Sequence, residues 1–148
     1  MINQEIKIKK LDDRAVIPTY GSDFSAGCDL YAVTDQDIDI KPSETVMIHT
    51  YLSMEIPVGY AGLIYARSGL ASKKGLAPAN KVGVVDADYR GEIMVALHNH
   101  SNDTQTISNG ERIAQLVITP FLKASFIKTD ELSDTVRGAG GFGSTGQR

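Results

Sequence analysis

The sequence predicts an all-β protein, a jelly-roll-like β-sandwich or barrel that ends in a flexible, glycine-rich C-terminal tail. Three observations lead to this prediction. Apolar and polar residues alternate with a period of two in several segments. Gly, Pro, Asn and Asp separate these segments at short intervals, and no window has the spacing of a long amphipathic helix. Many short strands with turns between them are typical of sandwiches and barrels.

The alternating segments follow one another along the chain, and we expect each of them to form strands. In order they are EIKIKKL, DIDIKPSETVMIHTYLSMEI, YAGLIYA, GEIMVALHNHS and ERIAQLVITPF. The segment LASKKGLA is expected to form at most one or two helical turns, because its glycine interrupts the pattern. DADYRGEI lies between KVGVV and IMVALHN, which predicts the turn of a β-hairpin.

A chain of 148 residues favours one domain, and its composition changes once, after Val136. We assign residues 1–136 to the β domain and residues 137–148 to a flexible arm. The arm contains five glycines together with Arg, Phe and an adjacent Ser-Thr pair. Glycine has the largest backbone entropy to lose, whereas Arg, Ser and Thr suit phosphate oxygens and Phe suits a flat ring. The arm is therefore either a lid that orders over a ligand or an unstructured tail without consequence.

Charge and composition exclude several classes of function. The net charge of −3 and the pI of about 5.5 argue against an extended basic face for duplex nucleic acid. No apolar stretch is long enough to span a membrane, and the N-terminus lacks the apolar core of a signal peptide. Cys28 is the single cysteine, so no internal disulfide can form, and we expect it to be a small buried hydrophobe. The chain is expected to be soluble and cytoplasmic.

Five segments carry the residue types that chemistry needs. They are AGCDLYA (26–32), RSGLASKKG (67–75), GVVDADYRGEI (83–93), NGERIAQLV (109–117) and RGAGGFGSTG (137–146). Three of them combine Arg or Gln with glycine and a hydroxyl or backbone N–H group, a set that suits phosphate oxygens. The third segment instead offers Asp86 as a base and Tyr89 as a flat wall. The set predicts a phosphorylated, ring-bearing small molecule and hydrolysis by water, since the sequence has no phosphate-loop, dinucleotide-binding, HExxH or Cys/His metal motif.

Single residues of these segments have plainer interpretations that stay open. Asp29 could belong to a turn, and Gln115 could be a satisfied core amide. His98 and His100 lie two apart on a predicted strand and could bind a metal, but a surface or interface pair is favoured because no third ligand is near. His49 has no suggestive neighbours in the sequence.

The five segments, in this order and spacing, resemble the five motifs of the homotrimeric dUTPases, and the resemblance spans residues 26–146. It implies a homotrimer of jelly-roll-like protomers that hydrolyses dUTP to dUMP and pyrophosphate by attack of water on the α-phosphorus. Such activity limits uracil incorporation into DNA and supplies dUMP for dTTP synthesis. The resemblance implies no nucleic-acid or membrane partner. One departure is Ala66, which stands where a proline often precedes the second motif.

The resemblance also implies roles for single residues. Asp86 would orient and deprotonate the water, Arg67 would stabilise charge at the scissile phosphate, and Asp29 would orient catalytic partners. Asp88, the competing base, is structural by similarity. Substrate contacts are implied for Ser68, Gly69, Asn80, Gly83, Val84, Val85, Tyr89, Met94, Gln115, Arg137, Phe142, Gly143, Ser144 and Thr145.

The resemblance further implies that Mg²⁺ is the cofactor, held chiefly by the substrate phosphates and water rather than by protein ligands. The C-terminal arm would arrive from a neighbouring subunit and close over its active site. Two rival functions stay open. One is dCTP deaminase, an enzyme of the same wider fold family; the other is a non-catalytic binding or signalling protein that keeps the nucleotide pocket.

Overall fold

The computed structural model describes residues 4–141 and shows twelve strands and one short helix within them. The predicted all-β class is confirmed. In chain order the elements are β1 Lys7–Lys10, β2 Thr19–Tyr20, β3 Cys28–Tyr31, β4 Ile38–Ile40, β5 Thr45–His49, β6 Leu52–Glu55, β7 Tyr60–Tyr65, α1 Ser68–Lys74, β8 Leu76–Pro78, β9 Gly83–Val85, β10 Met94–Asn99, β11 Gln105–Ile107 and β12 Arg112–Pro120.

The strands form antiparallel sheets in a jelly-roll-like arrangement. The largest has the order β2-β3-β12-β7-β9, the next β5-β10-β8, and two strand pairs join β1 to β6 and β11 to β4. One core cluster takes buried side chains from both larger sheets, among them Leu30 and Leu116 from one and Ile48 and Leu97 from the other. In β3 and β10 alternate residues are buried, as the period-two pattern predicts.

The segment 37–56 forms three strands, β4, β5 and β6, and its two breaks occur without glycine. Ser43 has φ 63 and Tyr51 has φ 50, so both adopt the left-handed region that side chains seldom occupy. The backbone N–H of Ser43 donates to the carbonyl of Asn99 at 2.9 Å, a long-range contact that supports the first break. The sequence pattern therefore predicted the strands of this segment but not where they end.

The helix α1 follows β7 and has the short length that the sequence predicted. It ends at Gly75, which has φ 66 and donates its N–H to the carbonyl of Ala71 at 3.1 Å. A Cβ at Gly75 would come within 3.0 Å of Ser101, so glycine is required there by both conformation and space. The helix thus places Arg67 and Ser68 where β7 leaves the five-stranded sheet.

The predicted β-hairpin at GVVDADYRGEI is wrong. Among residues 4–141, β9 pairs with β7 at the edge of the five-stranded sheet, whereas β10 pairs with β5 and β8 in the other large sheet. Residues 86–93 therefore form a connection between two sheets, which we call the 86–93 loop. A hairpin turn and a connection between two sheets both appear in the sequence as a polar segment between two apolar strands. The sequence pattern does not show which strands pair, so it could not distinguish them.

The last strand ends at Pro120, and residues 121–141 form no helix or strand. Several apolar side chains of this segment are exposed: Leu122, Phe126, Ile127, Leu132 and Val136. Among residues 4–141 no helix is both long and apolar enough to cross a membrane.

Candidate active site

The predicted site residues line two separate clefts. The first cleft, of about 410 Å³, lies at one end of the five-stranded sheet. Four predicted residues line it, Asp29, Arg67, Ser68 and Gln115. Its other lining residues are Gly21, Ser25, Ala26, Gly27, Tyr65, Arg112 and Val117.

Asp29 holds two arginines at the first cleft. Its Oδ1 accepts from Arg67 Nε at 2.7 Å, and its Oδ2 accepts from Arg112 Nη1 at 3.2 Å. The Asp29 side chain is only 14% exposed, so these charge-assisted bonds are partly shielded from water. Two guanidinium groups against one carboxylate leave the cleft with a positive balance that suits an anion. The interpretation of Asp29 as a turn residue is wrong, because it lies within β3.

Gln115 enters the same cleft because of the register of β12. It pairs with Asp29 of β3 on one side and with Tyr65 of β7 on the other, and residues opposite one another project from the same face. Its Nε2 donates to the carbonyl of Ala66 at 2.8 Å. A Cβ at Gly27 would lie only 2.7 Å from Gln115 Oε1, so the close approach requires glycine. Gln115 is thus a fixed amide that lines a cleft rather than a core amide.

The start of α1 adds backbone groups to this cleft. Arg67 is the N-cap, with extended backbone, and its side chain makes no capping hydrogen bond. The first-turn N–H groups of a helix have no partner within the helix, so they are available to an anion. Ser68 and Gly69 are exposed, and a Cβ at Gly69 would meet nothing within 4 Å. There is consequently room for a ligand beside this turn.

The second cleft, of about 250 Å³, gathers the residues predicted to bind the nucleoside. It is lined by Asn80, Gly83, Val84, Val85, Asp86, Tyr89 and Met94, together with Met47, Ile64, Glu92 and Ile93. A Cβ at Gly83 would lie 3.3 Å from both Asn80 Nδ2 and Ile64 Cβ, so glycine lets the asparagine pack against β9. Apolar walls with a few backbone and amide groups suit a planar, polar-edged ring.

Asp86 is exposed at this second cleft, directly after the buried Val85. The N–H of Tyr89 donates to the carbonyl of Asp86 at 3.1 Å, which closes a tight turn. Asp88 is also exposed but does not line the cleft, and it forms no salt bridge within residues 4–141. The neighbouring Arg90 donates instead to the carbonyls of Ala87 and Tyr89.

The two clefts share no lining residue, although Ile64 of the second cleft is next to Tyr65 of the first along β7. Val85 pairs with Gly62, so Asp86 follows at the level of Ala61. Arg67 is six residues further along (61 to 67), and six extended steps span about 20 Å. The structure therefore does not bring Asp86 together with Arg67, Ser68 and Gln115 within one chain.

The remaining predicted residues belong to the arm. Arg137 is exposed, and its Nε donates to the carbonyl of Gly140 at 2.7 Å. Phe142, Gly143, Ser144 and Thr145 lie outside the described residues, so their predicted contacts stay predictions.

Sequence reasoning missed several residues of the two clefts. Arg112 stands inside the segment NGERIAQLV but was given no role, because only the pairing of β3 with β12 brings it to Asp29. Gly27 was missed for the same reason, and Glu92 because its contacts depend on the pairing of β5 with β10. His49, for which the sequence suggested no neighbour, contacts the carboxylate of Glu92 at 3.0 Å.

His98 and His100 pack edge to face with ring centroids 4.4 Å apart. Among residues 4–141 no group of three or more His, Cys, Asp and Glu could hold a metal ion.

Comparisons with known proteins agree in one family. A family model described as dUTPase matches residues 13–146. The deoxyuridine 5'-triphosphate nucleotidohydrolase of Nautilia profundicola is 52% identical over 143 residues, which cover 97% of this chain and 99% of that protein. The protein of the same name from Desulfitobacterium hafniense is 46% identical over 146 residues, with coverage of 98% and 97%. A solved structure of Staphylococcus bacteriophage 80alpha dUTPase with dUPNHPP superposes with a TM-score of 0.88 at 28% identity, and covers 98% of this chain and 100% of that one.

Proposed function

The chain belongs to the dUTPase family and is a dUTP diphosphatase, and from this premise we propose how its residues perform the reaction. Asp86 aligns a water molecule with the α-phosphorus and accepts its proton, and dUMP and pyrophosphate leave. The position of Asp86 supports this role, since it is exposed at the edge of a cleft and held by a tight turn. Placement of the water supplies most of the effect, because an ionised carboxylate is a weak base. In the cell the reaction limits uracil in DNA and supplies dUMP.

The second cleft binds the nucleoside in this proposal. Backbone groups of Gly83 to Asp86, with Asn80, recognise the edge of uracil, and Met94 lines the same pocket. Cytosine presents exchanged donors and acceptors, which would leave buried polar groups unpaired and so be rejected strongly. The ring of Tyr89 packs against the deoxyribose and leaves no room for a 2′-hydroxyl. The support is spatial: these residues line one cleft.

The first cleft binds the triphosphate. Ser68, Gly69 and Gln115 contact phosphate oxygens through hydroxyl, backbone N–H and amide groups, and Arg67 stabilises the charge that develops. The Asp29 carboxylate fixes the guanidinium of Arg67, so the arginine is oriented before the substrate arrives. Arg112, held by the same carboxylate, adds a second cation to the cleft.

In our proposal the first cleft would receive Mg²⁺ together with the substrate phosphates. Asp29, the carboxylate of the first cleft, already accepts hydrogen bonds from two arginines through both oxygens. Mg²⁺ retains several waters and is commonly bound through substrate phosphates, so the cleft suits a hydrated ion carried by the triphosphate. The bound ion would neutralise phosphate charge; the residues of the chain orient the phosphates around it.

The single observation that carries the assembly proposal is the separation of Asp86 from Arg67 along β7. Since one chain holds Asp86 about 20 Å from Arg67, we propose a homotrimer in which each site takes its nucleoside cleft from one subunit and its phosphate cleft from another. The arm of residues 137–148 closes over the site of a neighbour. There Arg137 pairs with the terminal phosphate, Phe142 stacks on uracil, and Gly143, Ser144 and Thr145 close over the phosphates.

Mixing two inactive variants tests this proposal. Asp86→Asn removes the nucleoside-cleft base, and Gln115→Ala disrupts the phosphate cleft. In trimers formed at random from equal amounts, about one quarter of shared sites would combine two intact clefts. We expect the co-refolded mixture to release pyrophosphate from dUTP at about that fraction of the wild-type rate. A mixture no more active than its parents would exclude shared sites, and ammonia release from dCTP would instead favour a deaminase.

A further inference from the structure

Glu92 lines the nucleoside cleft and has no role in the reaction proposed above. Its Oε1 accepts from the N–H of Tyr51 at 2.9 Å, and His49 Nδ1 lies 3.0 Å from Oε1 and 3.1 Å from Oε2. The Glu92 side chain is 17% exposed, so the carboxylate is largely enclosed. Tyr51 is the residue with φ 50 at the turn between β5 and β6, and its ring stacks on His49. The carboxylate thus joins the 86–93 loop to this turn.

The main chain of Glu92 holds Tyr89. The hydroxyl of Tyr89 donates to the carbonyl of Glu92 at 2.8 Å. The ring also lies directly over Gly91, where an added Cβ would come within 2.4 Å of the hydroxyl oxygen and 2.5 Å of Cζ. The orientation of the ring is therefore set by the backbone of residues 91 and 92, and glycine is needed beneath it.

That stretch of backbone is fixed from the other side by the turn between β5 and β6. The N–H of Ile93 donates to the carbonyl of Leu52 at 2.8 Å, and the hydroxyl of Thr50 donates to the carbonyl of Ile93. These bonds anchor residue 93, while the Glu92 carboxylate anchors residue 92. Loss of the carboxylate would free the carbonyl that the Tyr89 hydroxyl needs.

We propose that Glu92 is a positioning residue for sugar selectivity: its carboxylate, held by His49 and Tyr51, fixes the backbone on which the Tyr89 ring rests. The inference rests on the proposed role of Tyr89 against the deoxyribose. A ring held in one orientation excludes a 2′-hydroxyl, whereas a ring free to move admits it. Glu92 acts through Tyr89 and touches neither the phosphates nor the water, so it should affect nucleoside binding more than turnover.

The experiment compares the ratio of kcat/KM for dUTP to kcat/KM for UTP in a set of variants. We expect Glu92→Ala to lower this ratio about 10-fold and to raise KM for dUTP, with kcat within about 3-fold of wild type. Glu92→Gln should restore most of the ratio, because its amide oxygen still accepts from Tyr51. Glu55→Ala is the matched control, since that glutamate is exposed and its carboxylate pairs with Lys7, away from the cleft. It should leave the ratio unchanged.

Two further variants cover the case in which Glu92→Ala fails to fold. His49→Ala removes the partly exposed partner of the carboxylate and should lower the ratio by a smaller factor. Gly91→Ala displaces the ring directly and should lower it at least as far as Glu92→Ala. An unchanged ratio in folded Glu92→Ala and His49→Ala, with lowered Tm alone, would show a merely structural role and overturn the proposal.

Tyr89→Ala distinguishes a failure of this inference from a failure of the proposed function on which it rests. If Tyr89→Ala loses selectivity and the Glu92 and His49 variants keep it, only the positioning role of Glu92 is wrong. If Tyr89→Ala itself keeps full selectivity against UTP, the proposed contact with deoxyribose fails and the inference fails with it. Pyrophosphate release from dUTP by Tyr89→Ala would still leave the assignment of the reaction standing.

Discussion

Replacing Gly27 by alanine should displace the Gln115 amide from the phosphate cleft while leaving the fold intact. The new Cβ would lie 2.7 Å from Gln115 Oε1, a contact that real Cβ atoms essentially never show. The clashing atom is the far end of a flexible side chain, so the amide can rotate away. That rotation breaks the 2.8 Å bond from Gln115 Nε2 to the carbonyl of Ala66. The amide then no longer faces the cleft in its fixed position.

The cost in stability should be small and the cost in activity large. One lost hydrogen bond is worth about 1 kcal/mol, and a lower entropy of the unfolded chain offsets roughly 0.4–1 kcal/mol of it when glycine becomes alanine. The net change in the free energy of unfolding is then about 0–1 kcal/mol. Misplacing a phosphate-binding group should lower kcat/KM for dUTP about 10–100-fold.

Thermal unfolding and pyrophosphate release from wild type, Gly27→Ala, Gln115→Ala and the double variant test this reasoning. Because Gly27→Ala acts through Gln115, the double variant should resemble Gln115→Ala rather than show the product of the two effects. Gly21→Ala is the control: it lines the same cleft, and its Cβ would meet only Ser25 Oγ, at 3.9 Å. The steric argument would be refuted if the two substitutions had independent effects on kcat/KM in the double variant, or if Gly27→Ala left kcat/KM unchanged.

Three further predictions concern buried or shifted groups. Asn99→Ala should lower the free energy of unfolding, measured by chemical denaturation, by about 3 kcal/mol. The reason is that Asn99 is fully buried and its side-chain amide forms hydrogen bonds with several backbone groups. A loss below about 1 kcal/mol would contradict this. Burial raises the pKa of the Cys28 thiol, so native protein should react with a disulfide reagent far more slowly than protein in denaturant, and equal rates would be unexpected. Desolvation, together with the positive charges of His98 and Lys81, lowers the pKa of His100. Protonation of His100 therefore favours the unfolded state, and the wild type should lose stability relative to His100→Gln as the pH falls from neutral through the pKa of an ordinary histidine to that of His100. NMR titration of His100 should give a midpoint below that of an ordinary histidine.

The sequence predicted the strands of the core because their burial alternates locally. β10 follows the period-two pattern throughout, whereas β7 and β12 depart from it at one pair of consecutive buried residues each. The pattern fails where tertiary contacts decide the backbone, as at Ser43 and Tyr51, which turn the chain at positive φ without glycine. It fails again at the 86–93 loop, since pairing partners outside the segment determine whether two strands form a hairpin.

The site was predictable only as far as its motifs are continuous in the sequence. Most residues that line the second cleft lie between Asn80 and Met94, so they are neighbours along the chain. The contact of Arg112 with Asp29 instead depends on the register of β3 with β12 and on the irregularity between Arg112 and Ala114. Glu92 and His49 are 43 residues apart and meet only when β5 pairs with β10. No local pattern could have shown either contact.

The geometry of β7 and the composition of residues 121–136 lead to the same expectation about assembly. A single chain places Asp86 of the second cleft at the level of Ala61, six residues (61 to 67) from Arg67 of the first cleft. It also presents a segment without strand or helix whose apolar side chains Leu122, Phe126 and Leu132 are exposed. Burial of these side chains on a second copy would stabilise the assembly by roughly 1.5–3 kcal/mol for each. The same contact would carry Arg137 and the arm beyond it away from their own chain, so the segment that holds subunits together would also deliver the lid that a shared site requires.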